Sequence, residues 1–204
     1  MRVILAEKPS VAQSIAAVLG ADQKKNGYLQ GENDLVSWCI GHLIELAPPE
    51  IYDARYAKWR REDLPIVPSA WESVVSDGTK KQFAVLKDLL NRTDVDEVVC
   101  ATDAGREGEL IFRMVYEKTG CTKPVKRLWI SSLEESAIRD GFRSLKPGSA
   151  YDALYRAALC RAQADWLVGI NGTRLYSRLY GTKLNVGRVM TPTLAMVAQR
   201  EKEI

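Results

Sequence analysis

Several features are scarce in this chain of 204 residues, and each scarcity argues against a class of protein. There is no run of about eighteen apolar residues, which argues against a membrane-spanning helix. No basic-then-apolar leader opens the sequence, so a secretory signal is not indicated and we expect a cytoplasmic protein. The four cysteines, Cys39, Cys100, Cys121 and Cys160, lack paired spacing, and three lie in apolar segments. We interpret them as reduced structural thiols.

Histidine occurs once, as His42 in the segment Gly41-His42-Leu43. Because no cysteine accompanies it at metal-site spacing, a zinc site is not indicated. We expect His42 to be a hydrogen-bonded residue at a strand end, with a role near a phosphate left open.

Acidic residues are missing altogether between positions 167 and 199. That stretch contains four basic residues, Arg174, Arg178, Lys183 and Arg188. Over positions 150–204 there are 8 Lys+Arg against 4 Asp+Glu, a local net charge of +4, whereas the whole chain carries +3. Such an asymmetry is typical of a surface that meets a polyanion, although a basic face is more often simply solvated.

The remaining composition is that of an ordinary globular protein, with 46% hydrophobic and 27% charged residues. Short apolar runs typical of strands alternate with segments of helical periodicity over the first 148 residues. This alternation predicts an α/β fold with a mostly parallel sheet covered by helices. The predicted strands are 2–6, 35–40, 97–101 and 125–130, and the predicted helices are 11–19, 80–92, 107–119 and one that follows Ser132.

The segment Lys146-Pro147-Gly148-Ser149 interrupts this alternation, and only helical patterns follow it. We therefore predict an α/β domain at 1–148 and the beginning of an all-helical domain at 149–204. The last predicted helix, from Thr193, reaches Ile204 without a stop signal, so we expect the chain to be part of a longer one.

Local patterns carry two further expectations. Ser10 with Gln13, and Ser132 with Glu135, have the spacing of a capping box at the start of a helix. The irregular stretch 47–79 is rich in proline and aromatic residues, which we expect to pack this loop onto the protein instead of stacking on bases. Those aromatic residues are Tyr52, Tyr56, Trp59 and Trp71.

Acidic side chains collect where two predicted strands end. Asp103, Glu107 and Glu109 follow strand 97–101 with Arg106 among them, and Glu7 follows strand 2–6. Because the carboxyl ends of parallel strands meet in one crevice, we expect Glu7 and Asp103 to lie together. Carboxylates so close stay ionised together when a cation lies among them, and Mg²⁺ is the first candidate. Taken singly, Glu107 and Glu109 would be ordinary acids at a helix start.

These motifs, in their order along the chain, resemble those of the type IA DNA topoisomerases, most closely the bacterial topoisomerase III branch. The resemblance extends from residue 7 to residue 189 and rests on five segments. They are Glu7-Lys8-Pro9-Ser10, Gly41-His42-Leu43, Asp103-Ala104-Gly105-Arg106-Glu107-Gly108-Glu109, Arg161 to Leu167, and Val186-Gly187-Arg188-Val189.

The resemblance implies a Toprim domain, an α/β fold that binds magnesium, followed by the first part of a helical domain that forms a groove for single-stranded DNA. It implies an enzyme that breaks one strand through a tyrosine, passes another strand through the gap and reseals the break. Neither ATP nor another nucleotide cofactor is implied. We expect a bacterial, nucleoid-associated monomer without membrane partners, active in DNA topology and recombination.

Residue roles are implied in the same way. Glu7, Asp103 and Glu107 correspond to metal-binding carboxylates. Lys8 and Arg106 correspond to basic residues near the scissile phosphate, so the implied catalytic group comprises Glu7, Lys8, Arg106 and Glu107. Glu7 is also a candidate proton donor to the departing sugar oxygen. The candidate DNA contacts are the loop residues Val186, Gly187, Arg188, Val189, Met190 and Thr191, together with Arg174 and Arg178 of the acid-free stretch.

Three departures from the family pattern matter. Gly105 stands where many members have a second aspartate, so we expect one magnesium ion, bound more weakly. Met190 stands where a glutamine is common. The nucleophilic tyrosine belongs beyond residue 204, and Tyr176 and Tyr180, at helical spacing, are expected to be packing residues. We therefore expect residues 1–204 alone neither to cleave nor to relax DNA.

Two other functions fit parts of the pattern. A Toprim nuclease or primase also uses a strand-end glutamate and an acidic pair to hold metal at a phosphodiester, and metal-dependent DNA hydrolysis would favour it. A non-catalytic module that binds single-stranded nucleic acid would instead show salt-dependent affinity without turnover.

Overall fold

Nine strands and seven α-helices make up the chain, which a computed structural model describes over residues 1–204. The strands are β1 Arg2–Ala6, β2 Gln23–Lys25, β3 Tyr28–Gln30, β4 Asp34–Trp38, β5 Ile44–Leu46, β6 Ser73–Val75, β7 Glu97–Ala101, β8 Val125–Arg127 and β9 Lys146–Pro147. The helices are α1 Pro9–Leu19, α2 Pro49–Tyr52, α3 Lys80–Leu90, α4 Arg106–Thr119, α5 Glu135–Arg143, α6 Asp152–Tyr180 and α7 Met190–Glu203.

The chain divides into two compact units, each formed by two separate segments. The first unit comprises Met1–Glu45 and Ser73–Leu159, and the second comprises Leu46–Glu72 and Cys160–Ile204. The long helix α6 therefore begins in one unit and ends in the other. The predicted boundary after Gly148 concerns the domains of the family and stays a prediction.

The main sheet has seven strands in the order β2-β3-β4-β1-β7-β8-β9. Its four central strands, β4, β1, β7 and β8, are parallel, which confirms the predicted α/β fold. The outer strands β2, β3 and β9 are antiparallel to their neighbours. Sequence patterns missed these three because they contain only three, three and two residues. A separate two-stranded sheet pairs β5 with β6.

The central strands form the core of the first unit. Residues Val3 to Ala6 of β1 and Val98 and Val99 of β7 have no exposed surface. Parallel strands are covered on both faces, which explains their nearly continuous apolar sequence. Helix α1 covers one face through Ile15 and its neighbours, which share a buried cluster with Ile138 of α5. This rigid centre fixes the loops at the carboxyl ends of β1 and β7.

Helices α1 and α4 end at their predicted positions, each followed by a glycine, whereas the two predicted capping boxes are not formed. Gly20 and Gly120 end α1 and α4 in the left-handed conformation, with φ of 70° and 71°. The box at Ser10 is wrong, because Pro9 already occupies the first turn and Lys8 is the residue before it. The box at Ser132 is also wrong, since its hydroxyl accepts from the Glu134 amide ahead of the helix, at 3.2 Å.

Several element ends differ from the sequence-based prediction. Strands β4 and β8 end at Trp38 and Arg127, two and three residues before their predicted ends. Helix α6 is the longest of the chain, with 29 residues, and continues to Tyr180. Helix α7 begins at Met190 instead of Thr193, because Pro192 is tolerated within the first turn of a helix. Met190 and Thr191 are therefore helical and do not lie in a loop.

The aromatic stretch packs onto α6 within the second unit. The Trp166 ring contacts those of Tyr52 and Trp71 edge to face, at centroid distances of 6.0 and 5.4 Å. The Trp166 indole N–H donates to the Ala47 carbonyl, and the Asn171 side chain bonds both the amide and the carbonyl of Ile66. The expected packing role is thus confirmed, and its partner is a helix more than one hundred residues further along.

None of the helices is both long enough and apolar enough to span a bilayer.

The cysteines yield a direct prediction. All four are free, and Cys39, Cys100 and Cys121 are buried whereas Cys160 is exposed. Burial raises the pKa of the Cys39 thiol and raises that of Cys100 to about 11, so both lack thiolate at neutral pH. A chromogenic thiol reagent at about pH 8 should therefore modify one thiol of four rapidly in the native protein. Loss of this fast phase in Cys160→Ser would assign it, whereas rapid reaction of a second thiol would contradict the structure.

Candidate metal and phosphate site

Glu7 and Asp103 lie side by side at the carboxyl ends of two neighbouring strands. Strands β1 and β7 are parallel, with Ala6 paired to Ala101, so the residues that follow them share one edge of the sheet. The Asp103 amide donates to Glu7 Oε2 at 3.2 Å. The predicted meeting of these two acids, 96 positions apart, is therefore present in the structure.

Lys8 lies between the two carboxylates. Its Nζ is 3.8 Å from Glu7 Oε1 and 3.7 Å from Asp103 Oδ2. The Glu7 side chain is only 11% exposed, whereas those of Lys8 and Asp103 are 56% and 57% exposed. The cluster thus has a buried floor and an accessible rim. A ligand can reach Lys8 and Asp103 from solvent while Glu7 stays fixed.

The start of α4 places two more predicted residues at this edge. Arg106 is the first residue of the helix and is exposed, and Glu107 follows it. His42 Nε2 lies 3.7 Å from Glu107 Oε2. His42 therefore faces a carboxylate of the predicted site, which is more specific than the ordinary strand-end role expected from sequence.

Two helices begin beside the acidic pair. Lys8 precedes α1 and Gly105 precedes α4, and no side chain caps either helix start. The first amides of a helix carry partial positive charge and bind phosphate readily. Together with Lys8 and Arg106, the two helix starts make this edge suitable for an anionic ligand despite its carboxylates.

The oxygen donors of Glu7 and Asp103 suit a hard divalent ion. No three His, Cys, Asp or Glu side chains are grouped so that they could hold a metal, so Glu107 does not form a closed trio with Glu7 and Asp103. Mg²⁺ commonly uses only one or two carboxylates and completes its shell with water and phosphate. Because Glu7 and Asp103 both reach one ammonium group, they fit that open arrangement.

Sequence reasoning missed the residue that holds the acidic loop, Arg127 at the end of β8. Its guanidinium is completely buried and pairs with Glu109 Oε2 at 3.1 Å. It also donates to the carbonyls of Thr102 and Asp103, both at 2.7 Å, and to that of Cys100 at 3.2 Å. Arg127 thus joins the end of β7 to α4 through three carbonyls and one carboxylate.

Glu109 is the centre of this buried network. It is 1% exposed and also pairs with Arg113, one turn further along α4, at 3.0 Å. Arg113 in turn donates to the Gly148 carbonyl and to Asp152. The spacing of Glu109 and Arg113, four residues apart on a helix, was the signal available in the sequence.

Gly108 permits the acidic loop to lie against α4. A Cβ atom at this position would be 2.1 Å from the Asp103 carbonyl oxygen and 2.9 Å from its nitrogen. The Thr102 hydroxyl bonds the Gly108 carbonyl at 2.7 Å, which fixes the same contact. Gly105, by contrast, has extended backbone and open space around it, so any residue fits there.

The predicted DNA-contacting loop lies in the second unit, against α6. The Val186 amide donates to Thr173 Oγ1 at 2.9 Å, and the Gly187 amide donates to Thr191 Oγ1 at 3.0 Å. Arg188 Nε donates to Asp165 Oδ1 at 2.7 Å. Val189 and Met190 are 64% and 49% exposed. The loop therefore presents exposed side chains on a backbone held by threonine hydroxyls.

Two expectations for α6 are corrected. Arg174 does not offer its charge to solvent: its guanidinium is 6% exposed, donates to the Tyr56 carbonyl and covers the Trp59 ring. Burial lowers the pKa of this guanidinium. Tyr176 and Tyr180 stack on each other at 6.4 Å and are 47% and 69% exposed, so they are not core residues of this unit. Arg178 is exposed, as a DNA contact requires.

Both the α/β part of the sequence and the helical part after it match known protein families. The Toprim domain family matches residues 2–133, and a DNA topoisomerase family matches residues 149–204. The chain belongs to the Toprim domain family, and it matches the amino-terminal region of a type IA DNA topoisomerase. It is 54% identical to DNA topoisomerase 3 of Bacillus thuringiensis (strain Al Hakam), over 99% of this chain and 28% of that protein. It is 55% identical to DNA topoisomerase 3 of Shouchella clausii, over 100% of this chain and 28% of that protein.

A solved structure gives the same result. Full-length topoisomerase I from Thermotoga maritima matches 99% of this chain and 30% of its own length, with a TM-score of 0.67 and 26% identity. The chain thus spans less than one third of the length of these topoisomerases and corresponds to their amino-terminal region. The match over 149–204 favours a topoisomerase over a Toprim nuclease or primase.

Gly108 supplies a test of how the acidic loop is placed. In Gly108→Ala the new methyl group overlaps the Asp103 backbone, so the loop must move away from α4. We expect a loss of about 1–3 kcal/mol in the free energy of unfolding, even though alanine is the better helix former. Urea unfolding measures this, with Gly105→Ala as the control that should cost little. Equal free energies of unfolding for Gly108→Ala and Gly105→Ala would contradict the close contact between Gly108 and the Asp103 backbone.

The pair of Arg188 and Asp165 supplies a pH-dependent test. The hydrogen bond from Arg188 lowers the pKa of the Asp165 carboxyl, against a smaller opposing effect of burial. A carboxyl whose pKa is lowered by folding stabilises the folded protein at pH values above the ordinary aspartate pKa. This stabilisation is lost as the pH falls through the lowered pKa. In Arg188→Gln the Asp165 pKa should rise toward its ordinary value, as followed by carboxyl-carbon NMR. Arg178→Gln, an exposed arginine on α6, should leave it unchanged; an unchanged Asp165 pKa in Arg188→Gln would refute the pairing.

Proposed function

We propose that this chain forms the metal- and phosphate-binding part of a topoisomerase that breaks and reseals single strands of DNA. The observation that supports this most directly is the cluster of Glu7, Lys8 and Asp103 at the ends of two parallel strands. A tyrosine from outside residues 1–204 would supply the nucleophile, and the reaction would need no ATP. The parent enzyme would act as a monomer in the bacterial nucleoid.

Glu7 and Asp103 would hold Mg²⁺ at this site, with Glu107 as a further acid on α4. Toprim domains bind divalent metal, and this site has only oxygen ligands of the kind that magnesium prefers. The bound ion would supply positive charge at the scissile phosphate. Because Gly105 adds no carboxylate, we propose a single, weakly held ion.

Lys8 and Arg106 would stabilise the phosphate under attack. Negative charge accumulates on its non-bridging oxygens, and positive groups held in place lower the free energy of that state. Lys8 is already oriented by two carboxylates at 3.8 and 3.7 Å, and Arg106 extends from the first turn of α4. Glu7 Oε2 accepts from the Asp103 amide, and in its protonated form, when it does not bind the ion, Glu7 would donate a proton to the departing sugar oxygen.

Residues 186–191, which comprise the loop 186–189 and the first two residues of α7, would bind single-stranded DNA together with Arg178. Arg188 carries a guanidinium at the loop, and its bond to Asp165 sets the direction in which it points. Val189 and Met190 offer exposed apolar surface of the kind that contacts bases and sugars. Arg174 is excluded from this set because its charge lies within the unit.

The proposal is tested by a chimera in which residues 1–204 replace the matching region of the Bacillus thuringiensis relative. The chimera should relax negatively supercoiled plasmid when Mg²⁺ is added and ATP is not, whereas residues 1–204 alone should neither relax nor cleave DNA. Glu7→Gln and Asp103→Asn in the chimera should each lower the rate by about 10²-fold or more, since each removes a group at the reacting phosphate.

Asp22→Asn is the matched control, because Asp22 is an exposed acid outside the site. It should leave the relaxation rate unchanged. Full activity of the Glu7→Gln chimera, in both cleavage and religation, would refute the role of Glu7. Metal-dependent hydrolysis of DNA by residues 1–204 alone would favour a nuclease, and salt-dependent binding of single strands without any turnover in the chimera would favour a binding module.

A further inference from the structure

We propose that Arg127 is a positioning residue for the acidic loop: it sets where Asp103 stands relative to Glu7 without touching the ligand itself. The inference rests on the proposed function, since it assigns Arg127 a task at that same site. Arg127 is the last residue of β8, and its side chain has no exposed surface. A buried guanidinium needs a partner for every donor, because its desolvation is otherwise very unfavourable.

The donors of Arg127 converge on one segment. Three of its hydrogen bonds reach the carbonyls of Cys100, Thr102 and Asp103, which are the last residues of β7 and the loop after it. A fourth reaches its neighbour Leu128, and Nε binds Glu109 of α4. Arg127 binds the carbonyls of Thr102 and Asp103, and the Asp103 amide donates to Glu7. The guanidinium therefore determines the direction of the peptide that carries Asp103.

The face of the guanidinium is fixed as well. Its central carbon lies 5.0 Å from the Trp129 ring centroid and 6.0 Å from that of Tyr151. The two rings stack on each other at 4.9 Å. A planar cation that donates from all three of its nitrogens and lies beside two aromatic rings is held in one orientation, whereas a lysine ammonium offers neither a plane nor five donors. The geometry thus requires arginine and not merely positive charge.

Arg113 provides a matched comparison within the same network. It pairs with the same carboxylate, Glu109, at nearly the same distance, 3.0 Å against 3.1 Å. Its remaining bonds go to Gly148 and Asp152 and not to the acidic loop. If the network acts only by stabilising the fold, both arginines should matter alike. If Arg127 positions Asp103, only its replacement should change the site.

The experiment compares Arg127→Lys with Arg113→Lys in the 204-residue chain, so that the positive charge beside Glu109 is kept in both. Hydrogen exchange of the Asp103 amide reports the bond to Glu7, and exchange of the Val99 amide, in the middle of β7, reports the fold. Binding of Mn²⁺, followed by its electron spin resonance signal, reports the metal site. Arg127→Lys should speed Asp103 exchange about tenfold and weaken Mn²⁺ binding about tenfold, as expected for a group that orients a ligand. Arg113→Lys should change neither.

Each outcome of this experiment supports or overturns the positioning role of Arg127. Equal effects of the two variants on Asp103, or no effect of Arg127→Lys, would overturn the positioning role. If the wild-type chain binds no Mn²⁺ but Asp103 exchange still depends on Arg127 alone, the positioning role stands and the metal part of the proposed function fails. Should Arg127→Lys also accelerate Val99 exchange, the double variant Arg127→Met with Glu109→Gln is compared in the same way with Arg113→Met, which leaves the pair of Arg127 and Glu109 in place.

Discussion

The buried ion pair between Arg127 and Glu109 is the interaction on which the arrangement of the first unit depends. It joins the end of β8 to α4, and through the carbonyls of Thr102 and Asp103 it fixes the loop between β7 and that helix. Breaking such a pair by removing one partner costs roughly 3–5 kcal/mol, because the other charge stays buried. The same buried arginine therefore stabilises the fold and holds the loop that carries Asp103.

The exposed part of the site has a different character. Lys8 and Asp103 are more than half exposed and meet at 3.7 Å, so their attraction is weakened by water and salt. The backbone holds Lys8 and Asp103 in position, while their exposed side chains exchange ionic partners readily. A phosphate that approaches Lys8 competes with two carboxylates for one ammonium group, and a cation that approaches the carboxylates releases that ammonium for the phosphate. In the proposed function, metal and phosphate would therefore favour each other at this edge of the sheet.

Sequence reasoning located the acids but not their support, for identifiable reasons. Glu7 and Asp103 could be brought together because parallel strand ends converge, which depends only on the order of strands and helices. Arg127 could not be found, since a single charge in a short strand resembles an edge residue until its burial is known. The edge strands β2, β3 and β9 were too short to show a period. Pro9 and Pro192 lie in the first turns of two helices that were predicted to begin later.

The segment Leu46–Glu72 belongs with residues that lie far ahead of it in the chain. Trp166 meets the Ala47 carbonyl across 119 positions, and Arg174 meets that of Tyr56 across 118. During synthesis on the ribosome, this aromatic segment emerges long before α6. Its aromatic rings stay exposed to solvent until α6 has been synthesised. Contacts of such range form slowly because closing a long loop is entropically costly. The second unit is therefore a place where a nascent chain is open to chaperones and to association with other chains, until the helix that covers it has been made.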